Sequence, residues 1–474
     1  MDNKPDPADN PRRPRGIRAQ AIGIAWPASI EYIVMTGIML ADTIFISRVG
    51  TEEVAGVSIA FTLIFMFVAL FNAVAIASTT VVAQAKGAGN IEVGERGAAQ
   101  SILLAAIIGL ATGIAGVTAA GLTMKVMGVE GVAARAGATY MGTVLLAAPL
   151  YAVALTGGGV MRGVGDTRTP MAFTLIANSI KILLSAVLVF GLFGFPVLGV
   201  KGAALATVVG YGLNALLVTT RLLRGFDGMT LRRLDLFRPR PKFLKRIFAL
   251  AMPVAGEQII MRMGFVFYMR VVSSLGTVAL AANVMAMRLE SVALTVGFGF
   301  TVASTALVGQ AVGRRDYDDA EKKANVTAQL SVATMATMAV ILLIARSSVL
   351  DIFKPEPEVY GLALVCLGIA AFELLPLGFI FTYAGGLRGA GDTRSPMIVA
   401  LVGTFFLRLP LVYLLAITFG LGLRGIWYGT LLDWIGRAVV IYVIFRRGKW
   451  KTKSFIQESE IDGSDEGLPS KGEQ

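Results

Sequence analysis

Histidine is absent from all 474 residues, so no imidazole proton relay and no histidine metal site can be built from this chain. A single cysteine, Cys366, excludes an intramolecular disulfide and a cysteine-rich metal cluster, which leaves packing as its simplest role. Charge is scarce as well: 16% of positions are charged, against roughly 25% in soluble domains. Hydrophobic residues fill 55% of the chain and the mean hydropathy is +0.71, which excludes an ordinary soluble domain. No aspartate-rich cluster of the kind a prenyl transferase uses to hold metal is present, and the expectation is a membrane protein that is not an enzyme.

Apolar runs near the 20 or so residues needed to cross the hydrocarbon layer recur about twelve times. They fall near 21–47, 54–83, 98–121, 136–160, 170–194, 202–223, 247–272, 280–308, 324–345, 359–386, 396–419 and 425–446. A spanning segment must satisfy its own backbone polar groups, and runs this continuously apolar do so as helices rather than as alternating barrel strands. The fold class is therefore all-α, with twelve transmembrane helices. The first run follows Arg12, Arg13 and Arg15 and is too long for a signal-peptide core, so it is expected to remain as the first helix.

The chain is also written twice. Residues 162–171 read Arg-Gly-Val-Gly-Asp-Thr-Arg-Thr-Pro-Met and residues 388–397 read Arg-Gly-Ala-Gly-Asp-Thr-Arg-Ser-Pro-Met, displaced by 226 positions. The same offset sets Pro27 on Pro253, Glu31 on Glu257, and Gln84-Ala85 on Gln310-Ala311. Each half holds six spans, an even number, so the copies share one orientation and form a parallel repeat about an axis near the membrane normal. The expected organisation is a disordered tail at 1–20, a six-helix bundle at 21–223, a basic linker at 224–246, a second bundle at 247–446 and a tail at 447–474. The decapeptide itself reads as loop chemistry, with glycines for a tight turn, an aspartate to cap the next helix and a proline in its first turn.

A net charge of +12 could indicate nucleic acid, but the cations are distributed otherwise. With twelve spans and the N-terminus inside, roughly 30 of 43 Lys and Arg fall in the termini and the loops on their side, which is the positive-inside bias. Both termini are thus expected in the cytoplasm, with the bilayer and not nucleic acid as partner.

Charged groups inside spans are costly and usually face a cavity or a partner, which makes them the functional candidates. Glu31 and Asp42 lie eleven residues apart in the first helix, three turns to within about 20°, and so share a face. Asp42 is either an interfacial residue or a titrating carboxylate. The second half differs: Tyr268 stands opposite Asp42, and Glu257, Arg262, Arg270, Arg288 and Glu290 are added. Lys181 and Arg408 fall within one residue of each other under the offset. Salt bridges to Glu257, Glu290, Glu373 or Asp433, or an anionic group of a substrate, are the alternatives for these cations.

Pro27 followed by Asp42-Thr43-Ile44-Phe45-Ile46, the Arg-Gly-x-Gly-Asp-Thr loop in both halves, Asn178, and Gly202 through Thr207 resemble the multidrug and toxic compound extrusion (MATE) family over about 21–446. The resemblance implies two six-helix bundles around a central cleft that opens to alternate sides. It also implies export of organic compounds in exchange for H⁺ or Na⁺, without a cofactor. Asp42 matches the family's coupling carboxylate, and Asn178 and Thr207 match its polar neighbours. This chain departs from the pattern in having Lys181 where a second Asn is frequent, Ser185 where an Asp is frequent, and Met261 where a helix 7 acidic residue is typical. Lys181 then becomes a candidate counter-ion of Asp42.

The expectation is a plasma (inner) membrane antiporter, functional as a monomer, exporting small organic compounds in exchange for H⁺ in preference to Na⁺. Asp42, Glu31 and Glu257 are its candidate coupling residues, and Asn178, Lys181, Thr207, Arg262, Arg288 and Arg408 its cleft or polar network. The alternative on the same fold is an exporter or flippase of anionic or lipid-linked substrates. An ion channel is disfavoured because a duplicated chain already encloses its own axis.

Overall fold

The computed structural model describes residues 16–456. The first half runs α1 (Ile17–Ser47), α2 (Thr51–Gly87), α3 (Ile91–Val126), α4 (Gly131–Leu146), α5 (Ala148–Gly163), α6 (Arg168–Phe190) and α7 (Gly199–Arg224). α4 and α5 make one span, bent by 52°. Pro149 sits in the first turn of α5, where it has no N–H to continue the helix from α4. The second half runs α8 (Pro241–Ser274), α9 (Thr277–Gly313), α10 (Tyr317–Phe353), α11 (Pro357–Gly389), α12 (Arg394–Val402), α13 (Leu409–Tyr413) and α14 (Gly422–Arg446). Two π-helical stretches, Gly403–Arg408 and Leu414–Thr418, bind α12 and α13 into a single span, Arg394–Thr418. Among the described residues this gives eleven helices long and apolar enough to cross a membrane, or twelve with the bent pair counted as one span.

Helices overrun their apolar cores at both ends of the chain. α1 begins at Ile17, so 17–20 are helical rather than tail, and Pro27 lies inside the helix rather than in its first turn. Residues 226–237 are more than a surface linker. Phe226, Met229, Leu231 and Leu236 are buried against α3 and α7, and Gln100 Nε2 donates to the Leu236 carbonyl at 2.7 Å. Likewise 449–456 packs instead of trailing, because Trp450 stacks on Phe445 and Phe455 meets Phe243 edge-on. The rest of both expected tails, 1–15 and 457–474, lies outside the described residues.

The decapeptide turns follow their expected chemistry. Gly165 and Gly391 adopt φ of +90° and +95°, and Asp166 and Asp392 each accept from a backbone N–H and a hydroxyl three residues on. Their arginines do something else. Arg162 and Arg388 belong to the last turns of α5 and α11 and turn inward.

On the side that carries the termini, the halves interlock through contacts that repeat under the offset. Gln84 Nε2 donates to the Gly389 carbonyl at 2.8 Å, and Gln310 Nε2 donates to the Gly163 carbonyl at 3.0 Å. The C-terminal turns of α2 and α9 cross so closely that a Cβ on Gly87 would stand 2.0 Å from the Gln310 carbonyl oxygen, and one on Gly313 2.0 Å from that of Gln84. α1 packs on α9, and α8 on α2. Toward the opposite side the halves part. One buried core runs through 46–204 of the first half and takes in 247–255 of the second toward the termini side, while 268–286 and 350–427 of the second half form a core of their own. The central cleft that the family resemblance implies falls between these two cores.

Candidate functional site

Six spans around one axis leave each half with a polar interior that the surrounding apolar faces cannot solvate, so its charges must find partners within it. In the first half, α1 presents Asp42 and α6 presents Lys181. The ammonium donates to Asp42 Oδ2 at 2.6 Å, and both side chains are buried, with relative exposures of 3% and 8%. The other oxygen, Oδ1, is buried without a hydrogen-bond partner. Asp42 also lines a cavity of about 140 Å³, together with Tyr140, Asn178, Thr207, Tyr211 and Asn214 among others. Asn214 Oδ1 is also unpartnered. Asn178 and Thr207 donate to carbonyls one turn back, Thr174 and Ala203, which leaves them as walls of the cavity rather than partners of the carboxylate.

Glu31 lies toward the termini side on the same face of α1. It accepts from Arg162 Nη1 at 3.2 Å and from Thr174 Oγ1 at 3.1 Å. The pair recurs under the offset, since Glu257 accepts from Arg388 at 2.7 Å. Sequence reasoning assigned both arginines to a loop. Their repeated register with Glu31 and Glu257, 131 residues away in each half, was the signal that could have found the pairs.

The Lys181–Asp42 pair does not recur in the same way. With Tyr268 opposite Asp42, Arg408 instead donates to Asp433 at 2.7 Å, and Asp433 is the counterpart of Thr207. The carboxylate has moved from the first span of a half to the sixth. Arg437, one turn along α14, closes on the same carboxylate at 2.7 Å, and the Trp434 ring lies under both guanidiniums at 4.2 and 5.0 Å. Gly403, in the π-helical stretch, leaves room for this arginine, because a Cβ there would stand 2.2 Å from Arg437 Nε. Glu373, buried nearby, accepts from Thr430 and comes within hydrogen-bonding reach of Glu290. Arg437 and Trp434 escaped the sequence reading because α14 is apolar enough overall to hide them.

Arg262 and Arg288 join neither centre. Arg262 projects from α8 across the cleft, its guanidinium 5.7 Å from the Phe65 ring of α2, and Arg288 is exposed on α9 without a carboxylate partner among the described residues. An arginine facing lipid at the middle of a span costs roughly 2.5 kcal/mol or more, whereas one facing a wet cleft does not.

The comparisons with known proteins agree with this plan. The MatE family model matches residues 27–187 and again 253–414, two segments whose starts are 226 apart. A probable multidrug resistance protein NorM of Thermotoga maritima is 27% identical over 445 residues, covering 94% of this chain and 96% of that protein. Multidrug resistance protein NorM of Vibrio cholerae is 27% identical over 438 residues, covering 91% and 95%. Among solved structures, the outward-facing conformation of a multidrug resistance MATE family transporter of the MOP superfamily superposes with a TM-score of 0.85 at 22% identity, covering 94% of this chain and 97% of that one. A MOP superfamily transporter from Pyrococcus furiosus, described as having a binding pocket of reverse polarity, superposes at 0.84 with 23% identity, covering 91% and 95%.

Proposed function

The chain belongs to the MatE family, and on that premise we propose that it is a proton-coupled antiporter of the plasma membrane that exports small organic compounds through the central cleft. As a family member it is a membrane transporter and not an enzyme. Multidrug export is what its relatives' names carry. The side bearing the termini is taken as cytoplasmic, on the strength of the nine Lys and Arg between Arg221 and Arg246, so the cleft faces outward.

The single observation that carries the reading is the buried Lys181–Asp42 pair, with its unpartnered Oδ1, at the wall of the cavity. A proton arriving at Asp42 competes with the Lys181 ammonium for the same carboxylate. Protonation therefore ends the attraction that ties α1 to α6 and changes the relative free energy of the two packings of this bundle. Na⁺ is disfavoured on the same geometry, since a cation seated on this carboxylate would stand beside the ammonium and be repelled by it. Glu31 and Glu257, each held by an arginine, serve to shape the bundles rather than to exchange protons.

The test is transport in proteoliposomes with pH and Na⁺ gradients imposed separately. The reading requires a pH gradient alone to drive flux and Asp42→Asn to abolish it while inserting normally. Flux driven by Na⁺ at equal pH, or pH-driven flux by Asp42→Asn, would overturn it.

A further inference from the structure

We propose that Arg262 and Arg288 form an oxyanion-binding subsite on the C-terminal wall of the cleft, so that the exported compounds include organic anions with an apolar or aromatic body. The inference rests on the export reading above and names its substrate class.

Three features converge on it. The arginines sit at one level: each lies thirteen residues from Leu275, at the turn that joins α8 to α9, so both are about 20 Å along their helices from that turn. Both also face the other half. Ala251, eleven residues before Arg262, is buried in a core shared with the N-terminal half, and Gly299, eleven residues after Arg288, packs on the backbone of Ala25 and Ser29. Eleven residues are three turns to within about 20°, which carries those contact faces up to the arginines where the halves part.

The third feature is charge. The buried Lys181, Arg388 and Arg437 and the half-buried Arg162 and Arg408 each have a carboxylate, whereas Arg262 and Arg288 have none among the described residues. The carboxylates of the spans are in turn buried or held by arginine, so none of them offsets these two. The offset places neutral Thr36 and Thr62 at the corresponding positions of the opposite wall, so the asymmetry belongs to the C-terminal half. A guanidinium offers paired N–H donors that match a carboxylate, sulfonate or phosphate, and the Phe65 ring beside Arg262 supplies a stacking face for the rest of the molecule.

The experiment measures binding, not transport, so its outcome is independent of the coupling mechanism. Naphthalene-2-carboxylate and the matched cation naphthalen-2-ylmethylammonium are titrated calorimetrically against purified protein in neutral detergent at one pH. The carboxylate should bind tighter. Arg262→Gln with Arg288→Gln should weaken it at least tenfold without weakening the ammonium, and lysine at both positions should restore part of the loss. A preference for the ammonium in the unaltered protein, or an unchanged carboxylate affinity in the double variant, would overturn the proposal. Phosphatidylglycerol in the micelles separates the two sources of oxyanion. Competition by it, but not by phosphatidylcholine, assigns the subsite to a lipid headgroup, and competition by neither assigns it to a soluble anion. Equal competition by phosphatidylcholine would refute charge recognition. Asp42→Asn should keep the carboxylate preference even where it stops transport, which separates failure of this inference from failure of the antiport reading.

Discussion

Removing either member of the Lys181–Asp42 pair should harm the protein more than removing both. Asp42→Asn strands an ammonium whose relative exposure is 8%, and Lys181→Met strands a carboxylate at 3%. Breaking a buried pair by deleting one partner costs roughly 3–5 kcal/mol, while replacing both charges with neutral groups of similar volume is often neutral. Each single substitution should therefore lower stability by about 3 kcal/mol, somewhat moderated by the cavity that Asp42 lines. Asp42→Asn with Lys181→Met should return to within about 1 kcal/mol of the unaltered protein, which implies a coupling energy of about 3 kcal/mol or more. Thermal unfolding of the four purified proteins, followed by tryptophan fluorescence, gives the cycle. pH-driven efflux from proteoliposomes supplies the second axis. If Asp42 couples transport as proposed, the double variant should be stable and inactive, because that carboxyl is gone although the packing is repaired. Additive single effects would show that the two groups do not stabilise each other. An active double variant would show that the exchanging group lies elsewhere, with Glu31, Glu257 and the Glu290–Glu373 neighbours next in line.

Arg388→Met should lower thermal stability by about 3 kcal/mol, and Glu257→Gln added to it should recover most of that, measured by the same unfolding assay. Gly403→Ala should cost about 1–3 kcal/mol, because the new Cβ at 2.2 Å displaces Arg437 from Asp433, and Arg437→Ala should relieve the overlap; a thermal shift near zero for the single variant would refute the close approach. Gly313→Ala should be costlier than Gly361→Ala, a helical position with nothing within 4 Å, since its Cβ would meet the Gln84 carbonyl at 2.0 Å and force the halves apart on the termini side. Comparison of their unfolding temperatures checks the ranking.

What the sequence made legible were the features that local chemistry determines. Span length and hydropathy located every membrane helix, and the repeated aspartate and glycine announced the capped turns that the structure contains. Lys181 was recognisable as a partner for Asp42 only because it broke the family pattern at one position. The bend between α4 and α5 was missed, although Pro149 lay in view, because hydropathy continues smoothly across Ala147. The packed segments at 226–237 and 449–456 were also missed, since their cations outweigh a few buried aromatics and leucines in any composition window. Long-range pairing hides best of all: nothing local to Arg162 says that Glu31 lies beside it, and only the duplicate pair at Arg388 and Glu257 could have said so.

The glutamines that cross between the halves bear on ancestry. Gln84 to Gly389 and Gln310 to Gly163 are one contact made twice, and in a chain half as long each would be glutamine 84 of one copy reaching glycine 163 of the other. That is the reciprocal pattern of an isologous twofold interface. A six-span ancestor would insert both copies in the same orientation, so the interlock could form between separate identical molecules before any fusion joined them. Joining the genes released the two copies from being identical, and the carboxylate that stands at Asp42 in one half and at Asp433 in the other is what they did with that freedom.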